Sequence, residues 1–585
     1  MRSFKLRFFA AFFFCSASLA MFTYAAMGNW SIATSPNSSF QDNLLNAVTC
    51  VSASDCWSAG SYLQGTNHKT LIQRWDGNSW TTVNSPNAVS FGWNVLYGVA
   101  CASPSDCWAV GYQQSTSPTA AQTLIERWDG VAWSIVPSPN SSANQQNYLQ
   151  SVACTSANNC WAVGYSFLGT IFVGPGLLGT PIYQTLIVHW DGTTWTIVPS
   201  ANTSATQSNI LSSVTCNSTS DCWAVGHYDA STSGAYPTLA QTLVQHWNGS
   251  AWSIVPSPNT LPVEENLFTS VTCTSGSNCW AVGYRFVNTF TGLIYQTLTA
   301  RWNGSSWSIV PSPNSSPTQQ NFLFGVTCDS PSDCWAVGFY LNQVYQTLIE
   351  HWDGATWSIV PSPNTNAAQT NILRSVECPV SWDCWAVGSA APNGGAMQTM
   401  PQHYVAAAPP PVELTSVVSR KNHGSAGPFD INLPLVGIPG VECRSGGAND
   451  DYSLIFSFAN PLARVGGAAV TSGNGTVSSH AIGSDAREYV VNLTGVTNAQ
   501  TITVTLTNVT DSSGNGSAAI GISMGVLLGD VTANRLVSNT DVSAVKAQIS
   551  AAVGSSNFRS DVNANGIVSN TDVSVTKAQV STTLP

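Results

Sequence analysis

Leu149-Gln150-Ser151-Val152-Ala153-Cys154, Cys160-Trp161-Ala162-Val163-Gly164, Gln184-Thr185-Leu186-Ile187-Val188-His189-Trp190 and Trp195-Thr196-Ile197-Val198 follow one another along one short segment. Each piece is brief and rich in β-branched or aromatic residues, so the four read as strands. Asp191-Gly192 separates the third from the fourth, and both residues tolerate the positive φ that a two-residue hairpin demands. The same unit recurs seven times, marked by a Cys-x5-Cys-Trp element. Its copies are Cys50 with Cys56, Cys101 with Cys107, Cys154 with Cys160, Cys216 with Cys222, Cys273 with Cys279, Cys328 with Cys334, and Cys378 with Cys384. Successive copies stand 50 to 62 residues apart. Four strands at that period form a propeller blade rather than a solenoid coil.

The strand count closes on itself. The seventh unit ends after its third strand, Gln398 to Tyr404, while a spare fourth strand, Trp30-Ser31-Ile32, stands at the front. With it, fourth strands occur at Trp30, Trp80, Trp133, Trp195, Trp252, Trp307 and Trp357. The expectation is a seven-bladed β-propeller over residues 27–405 in which the strand at 30–34 completes the last blade and leaves no exposed edge. The Trp-Asp-Gly-x-x-Trp hairpin resembles kelch and sialidase-type propellers. The sialidase Asp-box has its glycine two residues after the aspartate, whereas Asp129-Gly130 are adjacent. That resemblance therefore implies an architecture and no activity.

Arg2, Lys5 and Arg7 precede an apolar run from Phe8 to Phe14 and then small residues, with Ala20, Ala25 or Ala26 as the last residue before cleavage. This pattern predicts a secretory signal peptide over residues 1–26 rather than an anchor, and Cys15 lacks the small residue that a lipoprotein site needs before it. No other segment is long enough to span a bilayer. The expected location is extracellular or at the cell surface. In that oxidising setting the fourteen repeat cysteines predict one disulfide per blade. Metal ligation would need further histidines or cysteines at ligand spacing, and none recurs. Each short loop so closed contributes roughly 2 kcal/mol in the loop-entropy model. Cys443 is left over, either free or intermolecular.

Charged residues make up 8% of the 585 and hydrophobic residues 43%. This is too apolar for a disordered chain. A net charge of −11 without a Lys/Arg cluster argues against a nucleic-acid partner. In a four-stranded blade the first-to-second and third-to-fourth loops share one face. The second-to-third loops and the blade-to-blade links share the other, and these vary most, as at 167–183 and 229–240. Tyr112, Tyr165, Phe167, Phe172, Tyr284, Phe286, Phe290 and Tyr340 lie at or in those loops. They suit contact with a glycan or a protein, or else pack the loops onto the ring. The residue before the third-strand tryptophan, or before Tyr404 in the divergent last copy, is always basic: Arg74, Arg127, His189, His246, Arg301, His351 and His403. It forms either a cationic ring for an anionic or pH-dependent ligand, or a hydrogen bond repeated within each blade. No catalytic residue is expected. The acids are mostly turn residues such as Asp106 and Asp353, Glu264 and Glu265 lack a partner, and no nucleophile or metallopeptidase motif is present.

Ala406-Ala407-Ala408-Pro409-Pro410-Pro411 is a stiff linker, residues 406–411. Alternating segments at 429–433, 452–458, 489–493 and 501–509 predict an immunoglobulin-like β-sandwich over 412–526. In the last stretch, 527–585, Asp530 to Asp541 is repeated 31 residues later as Asp561 to Asp572. Each loop places oxygen donors at positions 1, 3, 5, 9 and 12 and a carbonyl at 7. The donors are Asp530, Thr532, Asn534, Leu536, Ser538 and Asp541, then Asp561, Asn563, Asn565, Ile567, Ser569 and Asp572. Helices are expected at 542–553 and 573–580. These tandem loop-helix units resemble dockerin modules, EF-hand-type and small. The resemblance implies Ca2+ as cofactor and a cohesin-type partner, contacted through Asn539 and Thr540 and through Asn570 and Thr571. Arg535 stands where the family has glycine, and Asn534 and Asn565 replace a third carboxylate, which predicts weaker binding at the first loop. The chain thus reads as all-β apart from this module. The expected function is that of a secreted, non-catalytic recognition or adhesion protein. A dockerin-bearing glycoside hydrolase for polysaccharide degradation is the runner-up, and a structural cell-surface protein the third reading.

Overall fold

The computed structural model describes residues 28–585 apart from 117–119, 172–179, 231–238, 262, 290–291, 393–394 and 408. The expected signal peptide, Phe172 and Phe290 lie outside the described residues. From Asn29 to Val405 the chain forms seven propeller-like blade sheets of antiparallel strands in sequence order. In the third blade these are Asn147–Ser156, Asn159–Ile171, Thr180–Trp190 and Trp195–Ile197. The first two blades are joined by a single parallel bridge between His68 and Trp93. Residues Asn29–Ile32 pair with Gln402–Val405, Trp30 opposite Tyr404, and so form the outer strand of the seventh blade.

The repeated residue types follow from this packing. Gly164 is small because a Cβ there would collide with the carbonyl of Tyr148 on the neighbouring strand. Gly192 sits at φ 97° in the hairpin turn, where only glycine is unstrained. The Asp191 carboxylate closes that turn by accepting the N–H groups of Thr193 and Thr194, each at 2.8 Å. Tryptophans join the blades. The second-strand Trp108 packs on Trp190 and Trp195 of the next blade, with centroids 4.7 and 5.2 Å apart. Trp335 meets Tyr404 and Trp30 in the same way, and Trp385 of the seventh blade meets Trp75 and Trp80 of the first. Offset and edge-on aromatic pairs of this kind add specificity to the area they bury.

Seven disulfides staple the first and second strands of the blades, one in each. Cys50 bonds to Cys56, Cys101 to Cys107, Cys154 to Cys160 and Cys216 to Cys222. Cys273 bonds to Cys279, Cys328 to Cys334 and Cys378 to Cys384. The two members of a pair differ in setting, which the spacing alone did not foretell. The second-strand cysteines Cys56, Cys107, Cys160, Cys222, Cys279, Cys334 and Cys384 are all fully buried and pack in the hydrophobic cores, whereas most of their first-strand partners are half-buried. These seven are therefore core residues holding a covalent staple, and none of them offers a surface for a ligand. Such a count of disulfides fits an extracellular protein. No helix among the described residues is long and apolar enough to cross a membrane.

Beyond the linker, two five-stranded sheets share one core to which Phe456 and Val491 contribute from one sheet and Ile502, Val504 and Met524 from the other. The four expected strands are present, Tyr452–Phe458 with the expected bounds and Pro428–Leu433, Glu488–Thr494 and Gln500–Asp511 slightly longer. Six more were not anticipated, among them Leu414–Asn422, Thr476–Ile482 and Gly516–Val526. Their serine, threonine and glycine content carries a weak strand signal, and pairing with strong neighbours holds them extended. This unit touches the ring through an Arg464–Asp329 ion pair at 2.7 Å, and Gly516 N–H donates to Pro410 O of the linker.

The helices differ from expectation. They run Asn539–Ala547 (α1) and Asn570–Ala578 (α2), starting three residues early and stopping short of Val553 and Val580. Ser538 and Ser569 are the N-caps. Asp541 and Asp572 complete capping boxes from inside the first turn, so the loop's last ligand position already belongs to the helix. Cys443 is fully buried and free, its thiol facing the Arg559 carbonyl, so burial rules out the expected alternative of an intermolecular bond.

Candidate functional site

The basic position at the end of each third strand is a structural device. Arg74 binds Asp55 and Arg127 binds Asp106, each at 2.8 Å; His246, His351 and His403 bind Asp221, Asp333 and Asp383. In the two remaining blades the acceptor is an asparagine, Asn159 for His189 and Asn278 for Arg301. The acceptor always precedes the second cysteine. The same cation lies over the tryptophan that follows that cysteine, Arg74 at 5.0 Å from Trp57 and His403 stacked 4.0 Å from Trp385. Each of these side chains is thus committed twice, by a hydrogen bond or ion pair to the residue before the cysteine and by contact with the tryptophan after it, and the cationic-ring alternative falls away.

The loop aromatics pack mainly on one another. Tyr112 is buried, stacks on Tyr97 and meets Tyr148; Tyr148 continues to Tyr165, and Tyr165 and Phe167 both meet Tyr183. Tyr284 and Phe286 converge on Tyr295 in the fifth blade. Among the described residues the exposed aromatics are Phe40, Phe91, Trp93 and Tyr345, none of them a residue that the loop pattern singles out.

One cavity, of about 370 Å³, is lined by the innermost strands of all seven blades. Two adjacent residues of every strand contribute to its walls, and Val48, Val99, Val152, Val326, Val376 and Glu377 complete them. One row is small throughout: Ala47, Gly98, Ser151, Ser213, Ser270, Gly325 and Ser375. The small row lets neighbouring blades meet, because the Ser375 hydroxyl accepts from Val48 N–H at 3.2 Å and Ser151 from Val214 N–H likewise. The row before it differs in every blade: Asn46, Tyr97, Gln150, Ser212, Thr269, Phe324 and Arg374. Two of these brace the next blade, Asn46 donating to Leu96 O and Thr269 to Leu323 O, both at 2.8 Å. Arg374 makes no hydrogen bond and no ion pair among the described residues, and its Nε is buried. Burial lowers its pKa, partly countered by Tyr97 nearby. Glu377 lines the same cavity; burial pushes its carboxyl up to about 7, with Asp329 adding to the effect and Thr327 and Arg464 opposing it. The sequence reading passed over this row. The signal for it was present, as one fully varied column inside an otherwise repeated strand.

The two C-terminal loops share their backbone-to-carboxylate hydrogen bonds. Asp530 accepts the N–H groups of Asn534 and Arg535 at 3.1 and 2.7 Å; Asp561 accepts those of Asn565 and Gly566 at the same distances. Asp541 accepts from Thr532 and Ser538 N–H, and Asp572 from Asn563 and Ser569 N–H. All four carboxylates are fully buried. Burial raises the Asp530 pKa and the Asp541 charge adds to it, while the Arg535 and Asn534 N–H groups oppose both. Arg535 takes φ 72° where Gly566 takes 91°, so the sharp turn forms in both loops, with the arginine strained. The amide oxygens of Asn534 and Asn565 accept from Leu536 and Ile567 N–H. Asn539, Thr540, Asn570 and Thr571 are exposed on the first turns of α1 and α2.

The second loop has an additional neighbour. His423 of the two-sheet unit places Nδ1 2.8 Å from Asp561 with both side chains fully buried, and Phe558 stacks on Phe429. Arg444, also fully buried, pairs with Glu442 at 2.7 Å and reaches His423 Nε2 at 3.2 Å.

No family model matches the chain, and no curated protein matches it. Among solved structures it is similar to a polysaccharide lyase described as an ulvan lyase, at 11% identity over 66% of this chain and 95% of that one, TM-score 0.41. It is also similar to a fungal lectin of Aleuria aurantia described as a six-bladed β-propeller recognising fucose, at 12% identity over 56% and 98%, TM-score 0.34. An α-L-arabinofuranosidase of Fusarium graminearum aligns at 10% identity over 65% and 98%, TM-score 0.34. Likenesses this distant carry no argument about activity.

Proposed function

We propose that the chain is a secreted, non-catalytic recognition protein. In this reading a seven-bladed β-propeller binds a glycan or a protein, and an immunoglobulin-like sandwich carries a dockerin-like module that docks a cohesin-type partner when Ca2+ is bound. The observation that carries the reading is the pair of buried carboxylates in each C-terminal loop, Asp530 with Asp541 and Asp561 with Asp572. Two anions taken out of water and facing the same space are costly unless a cation joins them. The donor set fits a hard, oxygen-liganded ion: Asp530, Thr532, Asn534, the Leu536 carbonyl, Ser538 and Asp541, and their counterparts in the second loop. Bound Ca2+ would supply charge neutralisation. The chain's own residues do the rest: backbone N–H groups orient the carboxylates, the capping boxes couple each loop to its helix, and the exposed Asn539, Thr540, Asn570 and Thr571 present a repeated polar surface.

The test is calcium titration of the mature chain by calorimetry, followed by capture on immobilised cohesins with Ca2+ and with EDTA. Saturable calcium binding with EDTA-sensitive capture supports the proposal. Absence of calcium binding overturns it, and calcium binding without capture by any cohesin removes the docking part.

A further inference from the structure

Among the arginines of the ring, Arg374 is the exception in having no side-chain partner among the described residues. The ring holds five arginines, and the other four have side-chain partners: Arg74 on Asp55, Arg127 on Asp106, Arg285 on Gln296 and Glu264, and Arg301 on Asn278. Arg374 has none among the described residues, although its Nε is buried and five donors are available. An unmatched, largely desolvated guanidinium costs folding free energy, and here it costs that within a cavity shared by all seven blades. The neighbouring row shows that bulk at this depth is not required for closure, since alanine, glycine or serine serves there. The residue therefore answers to something inside the cavity.

We infer that Arg374 is the anion-binding centre of the central cavity and that the ligand is an acidic sugar unit, a ring bearing one carboxylate or sulfate. This rests on the reading of the ring as the recognition part of the chain. A planar guanidinium engages either anion through two parallel N–H···O bonds. Tyr97, held by its stack on Tyr112 at 6.0 Å, sits beside Arg374 and offers an aromatic face. Gln150 and Ser212 line the same space with an amide and a hydroxyl, partners for ring hydroxyls. A volume of about 370 Å³ lies in the range of small-ligand sites, which start at roughly 300 Å³. Glu377, the acid of this cavity, is half neutral near pH 7 because of its burial. It faces Thr327 and is influenced by Asp329 and Arg464, so anion affinity rises as pH falls and Glu377 takes up its proton.

The test is calorimetric titration of the full mature chain with glucuronate, with inorganic sulfate and with glucose. Glucuronate should bind saturably, sulfate more weakly and glucose not at all. Arg374→Gln should weaken glucuronate by about ten- to a hundredfold, the scale of a lost bidentate ion pair. Arg374→Gln should also keep or raise the melting temperature, since it removes an unpaired buried charge. Ser212→Glu, on the wall contributed by the fourth blade, should abolish glucuronate binding in a folded chain and guards against misfolding of the first variant. Glucuronate binding unchanged by either variant, or no binding of glucuronate or sulfate, overturns the inference. Sulfate binding as tightly as glucuronate overturns the sugar class. Arg374-independent capture of neutral glycans or a protein would leave the recognition reading standing while removing the cavity from it.

Discussion

Replacing Glu126 or Glu350 by glutamine should stabilise the ring at neutral and alkaline pH and change it little in acid. Both acids occupy a fully buried third-strand position that is Gln73, Gln245 and Gln402 in the first, fourth and seventh blades. There each amide donates to a carbonyl of a blade-to-blade link, Pro36 at 2.6 Å, Ala201 at 2.9 Å and Pro363 at 2.9 Å. Glu126 instead has one bond, accepted from the Ser85 hydroxyl at 2.8 Å, and both carboxyl oxygens of Glu350 lack partners among the described residues. Burial pushes Glu126 up to about 8, opposed by Ser85, and Glu350 well above the ordinary range. Because the folded pKa is raised, the folded chain holds a proton that the unfolded chain releases. The contribution is complete below the ordinary carboxylate pKa of 4.5 and is lost as pH climbs to about 8. At about 1.4 kcal/mol per unit, that gap costs on the order of 3–5 kcal/mol at Glu126. All 22 tryptophans lie between Trp30 and Trp385, so indole fluorescence follows the ring alone. Urea unfolding at about pH 5 and about pH 8.5 should show the advantage of each glutamine variant widening at the higher pH by roughly 2 kcal/mol or more. An advantage equal at both pH values, or a variant less stable at the higher one, would refute the argument.

Three further outcomes are expected. Trp30→Ala removes the contacts with Trp335 and Tyr404 and should cost the ring about 3–5 kcal/mol; urea unfolding indistinguishable from the parent would mean that the leading strand does not hold the last blade. Cys216→Ala with Cys222→Ala opens one six-residue separation and should cost about 2 kcal/mol for the staple and about 1 kcal/mol more for the sulfur removed from the core at Cys222, read as a drop in the urea midpoint with the fold retained; global unfolding in native buffer would contradict it. Chelation by EDTA should lower the melting temperature of the C-terminal unit and speed its proteolysis. Asp561→Ala should do so more than Asp530→Ala because it also strips His423 of its partner; equal behaviour with and without EDTA in the parent would discard the cation.

The repeated unit made most of the ring readable from the chain alone. Seven copies of the same strand and turn signals average out local ambiguity, and the surplus strand at Trp30 is a matter of counting. The cysteine pairing likewise needs only a hairpin and an oxidising compartment. That Cys56, Cys107 and their counterparts are the buried members depends instead on which strand face meets the next blade. The second unit was less legible, because Leu414–Asn422 and Thr476–Ile482 are held extended by their neighbours and not by their own composition. Helix starts were misplaced because Asp541 and Asp572 were read only as loop positions, although the same carboxylates take the N-cap N–H groups.

Sequence by itself determined the number of blades, the strand order and the twin loops, since each depends on residues close in the chain or repeated along it. Tertiary structure alone decided which side chains face one another across the molecule. It paired each basic residue of the third strands with the residue before a cysteine, set His423 against Asp561 from 138 positions away, and gathered Arg374 and Tyr97 into one cavity. Those meetings arise from how seven sheets pack around an axis and how one unit seats on another, and no local spacing encodes them.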